Sequence, residues 1–174
     1  VDLWINNLAS CVNWKNWESF IIDWKKLKSY NQNFNKKISK LKEIKDNLMA
    51  NRYKNLWKDL SLLSKEKKPL TKKEKILFSK RANYVDNYIN QAVSKIVKYS
   101  KEKWINNIVV WENKEWKQNV NIWKVNNQKF YSIPHDKFKK KLYYKAEENW
   151  IKVSFQEESY TSKCSFIDKE ELKH

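Results

Sequence analysis

The stretch 104-WINNIVVWENKEWKQNVNIW-123 decides how this chain is read. It carries four of the ten tryptophans. Ile105, Val109, Trp116, Val120 and Trp123 recur at helical spacing, and Trp104, Ile108 and Trp111 form a second row beside them. At about 100° per residue the two rows merge into one broad apolar face. That spacing predicts a helix whose partners the rest of the chain must supply. Upstream, Phe78, Ala82, Val85, Ile89, Ala92, Ile96 and Tyr99 are spaced alternately four and three apart, a heptad seam for shallow helix crossing. Nothing between Tyr99 and Trp104 breaks a helix, so the expectation is one long helix from Thr71 to Phe130 with a phase change inside it.

Working further outward, two prolines divide the chain. Pro69 stops a helix, and Thr71 with Glu74 forms a capping box that starts the next one. Pro134 makes the second break. Before Pro69, the spacing of Trp14, Trp17, Ile21 and Trp24 predicts a first helical segment. Phe34, Ile38, Leu41, Ile44 and Leu48 continue it, with Trp57 alongside. After Pro134, Phe138, Leu142, Ala146, Trp150 and Val153 predict a last helix. The expected fold is all-α: an elongated three-helix bundle of long helices over 1–63, 71–130 and 135–154. Trp14, Trp17, Trp24, Trp57, Trp104, Trp111, Trp116, Trp123 and Trp150 are its expected core. The domain is drawn as 1–155, with 156–174 as a polar, partly packed tail.

Composition points the same way. The 174 residues include no glycine and two prolines. Tight turns favour glycine, so a β-sandwich or a nucleotide-binding α/β fold is not expected, and a glycine-rich phosphate loop is absent. Two cysteines, Cys11 and Cys164, make no zinc site, though they could pair in an oxidising compartment. No cofactor, metal site or catalytic constellation is expected, and the chain reads as a non-enzymatic binding domain. It opens at Val1 without a signal peptide, as a piece of a longer protein would, with targeting signals elsewhere.

Charge supplies the candidate site. Net charge is +17, from 37 basic against 20 acidic side chains, and all but Arg52 and Arg81 of the basic ones are lysine. Lys65, Lys67, Lys68, Lys72, Lys73 and Lys75 crowd around Pro69, and Lys137, Lys139, Lys140 and Lys141 open the last helix. Either cluster suits an anionic membrane lipid, to which each lysine adds about 1 kcal/mol. Nucleic acid is set aside as a partner for three reasons. No recognition motif appears, arginine is scarce for reading base edges, and the tryptophans fall on amphipathic stripes instead of among lysines.

WKNWESFIIDW (Trp14, Trp17, Trp24), LWKDL (Trp57) and KEKW…VVWENKEWKQNVNIW (Trp104, Trp111, Trp116, Trp123) resemble the tryptophan-rich antigens of Plasmodium malaria parasites. The likeness spans about residues 1–155. A rival resemblance is to the exported PHIST domains. The resemblance implies a BAR-like bundle of long helices that is peripheral to membrane, secreted or at the parasite surface. Its implied partners are acidic lipid, phosphatidylserine or a sulfated glycolipid, and the host erythrocyte surface during invasion. The alternative is an adhesin that recognises an erythrocyte protein receptor.

Overall fold

A computed structural model describes residues 1–3, 7–55, 69–112 and 134–157. Within them the order is β1 (Asn7–Val12), β2 (Ser19–Asp23), α1 (Lys25–Asn55), α2 (Lys72–Glu102), β3 (Asn107–Glu112), α3 (His135–Glu147) and β4 (Lys152–Glu157). The chain forms two compact units. One comprises 1–24 and 89–174, the other 25–88.

The first unit corrects the all-α, BAR-like expectation, because it contains sheet. β1 and β2 pair antiparallel, and β3 and β4 pair parallel with Asn107 opposite Lys152. Residues 1–3 join the two ladders. Asp2 exchanges both backbone hydrogen bonds with Ser10 at 2.8 Å and also bridges to Trp111. A bulge between Asn7 and Ala9 lets Leu8 and Ala9 both be buried, which plain alternation forbids. In β3 the run Ile108-Val109-Val110 suits a strand, since β-branched side chains are stiff and fit the pleat. Ile108 and Val110 point inward, with Val110 fully buried. The helical rows of the 104–123 stretch therefore end as period-two alternation over 107–112, and residues 113–123 lie outside the described set.

Three features replace the missing glycines. The β1–β2 turn is closed by asparagine: the Asn13 side chain accepts from the Lys15 amide and Asn16 from the Glu18 amide, both at 3.1 Å. Trp17, Trp104 and Trp150 take positive φ, at 58°, 54° and 58°. The parallel pair needs no tight turn, because α3 lies on the path between its strands.

Helices α2 and α3 both end earlier than expected. α2 stops at Glu102, where Ile105 donates to the Ser100 carbonyl and Trp104 to that of Lys101, the Schellman pattern. α3 ends the same way, with Ile151 donating to Ala146 and Trp150 to Glu147. Phe138, Leu142 and Ala146 form the buried stripe of α3. Trp24, at the end of β2, packs edge-on to His135 with ring centroids 5.8 Å apart.

The second unit is a helical hairpin. α1 starts at Lys25, later than the expected helix over 1–63, because 7–12 and 19–23 are strands, and its side chains meet α2 through aromatic pairs. Tyr30 stacks on Tyr84 at 3.9 Å, and Phe34 meets Phe78 at 5.2 Å. The capping box is present as expected: the Thr71 amide donates to Glu74 Oε2 at 2.7 Å, and the Glu74 amide donates to Thr71 Oγ1 at 3.2 Å. Lys45 adds an ion pair to the same carboxylate at 3.1 Å. The apolar stripe of α1 is covered only in part, since Phe34 and Ile38 are buried while Ile44 and Leu48 are exposed. No helix among the described residues is long and apolar enough to cross a membrane.

Candidate functional site

The tryptophans expected in the core divide sharply. Trp24 is buried, but Trp14, Trp17, Trp104 and Trp150 are 77%, 74%, 86% and 95% exposed. Trp111 is half-buried. Trp57, Trp116 and Trp123 lie outside the described residues. Three of the four exposed indoles sit at positive φ, where a bulky side chain costs about 1–2 kcal/mol and glycine costs nothing. At Trp104 and Trp150 local geometry explains the exposure: each is the left-handed residue just past a helix, while Trp17 lies in the β1–β2 turn. Replacing Trp150 by glycine should therefore raise unfolding free energy by about 0.5–1 kcal/mol, the strain relieved less the added freedom of the unfolded chain. An upward shift of the urea midpoint at unchanged slope checks this.

The hairpin turn and the end of α2 come together. Glu18, in the turn, forms an ion pair with Lys103 at 2.8 Å and accepts from the Tyr99 hydroxyl at 2.8 Å. These bonds, Lys103 first, hold the Glu18 carboxyl below its usual range, and Glu18 raises the Lys103 ammonium above its own. Lys95 lies over the Phe20 ring at 5.2 Å. Between turn and helix end lies a cavity of about 390 Å³, lined among others by Asn13, Trp14, Lys15, Tyr99, Trp104 and Asn107. Cys11 also lines it, and burial pushes its thiol up to about 11, so it is an inert neighbour and no nucleophile. Cys164 lies outside the described residues.

The expected lysine clusters fall in different units. Lys72, Lys73 and Lys75 are exposed in the first turns of α2, in the helical hairpin. Lys73 shares an apolar-floored groove of about 420 Å³ with Lys37 and Lys40. Lys65, Lys67 and Lys68 lie outside the described residues. Lys137 and Lys140 are exposed on α3. Lys139 lies 3.4 Å from Asp136, and Lys141 donates to Asn90 at 2.7 Å. Sequence reasoning missed the exposed tryptophans with Asn13, Glu18 and Tyr99. The paired Asn106-Asn107, polar residues that interrupt the apolar rows just past Trp104, was the available signal. Among the described residues no group of three His, Cys, Asp or Glu is placed to hold a metal ion.

Residues 1–117 match the family model OrfB_IS605, described as a probable transposase. No curated protein matches. Among solved structures, the chain is similar to the protein in a cryo-EM structure of a Cas12f1–sgRNA–target DNA complex. The identity is 14% and the TM-score 0.59, over 93% of this chain and 36% of that one. The chain thus spans about a third of that protein, and the likeness is one of fold.

These findings overturn the resemblance to Plasmodium tryptophan-rich antigens and to PHIST domains, which rested on the spacing of tryptophans in lysine-rich segments. The lipid-binding erythrocyte adhesin falls with it, and so do its partners, anionic membrane lipid and the host erythrocyte surface. One ground for setting nucleic acid aside also fails. It assumed tryptophans hidden on helix stripes, whereas Trp14 and Trp104 are exposed beside Lys15 and Lys103. A domain without catalytic activity is likewise at odds with what the family is described as. The chain belongs to the OrfB_IS605 family of probable transposases.

Proposed function

We propose that this chain is the nucleic-acid-holding part of a transposase-related protein that acts as an RNA-guided nuclease. The observation that carries the reading is the surface of the first unit, where exposed tryptophans stand among lysines on a chain of net charge +17. Lysines neutralise phosphates and release counterions, and flat aromatic faces accept bases of any sequence. The scarcity of arginine fits a protein that holds a backbone and leaves sequence reading to base pairing. The related Cas12f1 structure contains an sgRNA and target DNA, which supports both classes of nucleic acid as partners here. Cleavage is assigned to the longer protein, and no chemical step is assigned to these residues.

The test is fluorescence anisotropy of the 174-residue chain with a labelled RNA hairpin and a labelled DNA duplex, between 50 and 300 mM salt. Binding should weaken with a log–log slope on the order of −4 or steeper, as expected for several phosphate contacts. Absence of binding to either at 50 mM salt would overturn the reading.

A further inference from the structure

The geometry points to the cavity between Trp14 and Trp104 as a receptor for one unpaired nucleobase of a single-stranded segment. This deepens the nucleic-acid reading above and rests on it.

Size comes first. About 390 Å³ lies at the lower end of small-ligand sites, suited to a base with part of its sugar and too narrow for a base pair in a duplex. The walls come next. Trp14 comes from the β1–β2 turn and Trp104 from the end of α2, and Tyr99 contributes a third aromatic surface. Indoles this exposed give up the burial that normally rewards a tryptophan, and Trp104 is also held at a positive φ that favours glycine. Such expense is understandable if the ring faces are contact surfaces. Preorganisation is visible too. Glu18 ties its turn to Tyr99 and Lys103 on the helix end, and Asn13 reaches the Tyr99 hydroxyl at 3.5 Å. The two walls therefore keep their spacing without a ligand. The occupant follows from the lining. Aromatic lining residues suit a flat ring, Asn107 offers a donor and an acceptor for its polar edge, and Lys15, also in the lining, can meet the adjoining phosphate. An acyl chain would cover the Asn107 amide without offering it a hydrogen bond.

The test compares two 12-nucleotide single strands of equal charge, one with bases and one entirely abasic, against the 174-residue chain. The parent should prefer the base-bearing strand by about tenfold. The W14A/W104A variant should lose that preference and bind the abasic strand as the parent does. W14F/W104F should keep part of it, and an unchanged circular dichroism spectrum shows that both variants fold. The preference should appear with RNA and DNA alike, because the base is the recognised group. A preference confined to one sugar would overturn that. A preference that survives W14A/W104A, or equal affinity of the parent for both strands, would overturn the receptor and leave the nucleic-acid reading standing. Failure of the parent to bind any strand would overturn both. Displacement of the bound strand by neutral phospholipid vesicles, but not by adenosine monophosphate, would assign the cavity to an acyl chain and reject the base.

Discussion

Trp24→Ala should lower the unfolding free energy by about 3–5 kcal/mol, the largest loss expected of any single substitution in the chain. Trp24 is 1% exposed and lies where β2 ends, against the His135 ring at the start of α3. Truncation removes the apolar area of an indole and leaves a void between a strand and a helix that cannot close on each other without breaking the ladder. Typical domains are stable by about 5–15 kcal/mol, so the loss is a large share of the whole. Trp150→Ala, at 95% exposure, should stay within about 0.5 kcal/mol of the parent. Urea denaturation of both variants makes the comparison. Near-equal midpoints for the two would show that Trp24 does not organise this core.

Glu74→Ala comes second, at about 2–3 kcal/mol. The carboxylate is fully buried, receives the Thr71 amide at 2.7 Å and pairs with Lys45 at 3.1 Å. Removing it takes away a cap of about 1 kcal/mol and strands a half-buried ammonium, whose access to water limits the further loss. The same group makes the helical hairpin sensitive to acid. The Thr71 amide above all, with Lys45, holds the Glu74 carboxyl below its usual range against the opposing effect of burial. The unfolded chain therefore takes the proton first. The stabilisation is complete above the unfolded carboxylate value of about 4.3 and is lost as pH falls through the lower folded value. Parent protein should lose more stability between pH 7 and pH 3 than Glu74→Gln, which keeps a capping amide but has no charge to titrate. Equal losses would show that acid sensitivity resides elsewhere.

Where a sequence signal had a local cause, it was legible. The Thr71–Glu74 box depends on two side chains and one turn, and it stands as read. Val85, Ile89, Ala92 and Ile96 are buried as their spacing requires. The strands were hidden because the deciding events are not written in hydrophobic period. Over the six residues of β3, positions 108 and 110 satisfy a period of two, yet 105, 108 and 109 also satisfy a helical one. What separates the readings is a left-handed residue at 104, and tryptophan carries no propensity for it. Absence of glycine argues against sheet, because tight turns favour it. In a lysine- and asparagine-rich chain, asparagine takes over that work, as Asn13 and Asn16 do. The candidate site was legible as charge but not as place, because a face built from residues 13–18 and 99–107 has no counterpart along the sequence.

The short segment 1–3, set between the two ladders, also imposes an order of events during synthesis. Its Val1 nitrogen donates to the Val109 carbonyl at 2.6 Å, across 108 residues of chain. β3 cannot pair with β4 until residues 152–157 have been made. The helical hairpin of 25–88 needs no such distant partner. On a ribosome adding about 5–20 residues per second, that hairpin can be complete on the order of ten seconds before the sheet closes. During that interval residues 1–3 wait without their β3 partners, and unpaired backbone edges are templates for wrong partners. A slow, long-range closure of the sheet after fast local helix formation is the kinetic signature this topology dictates.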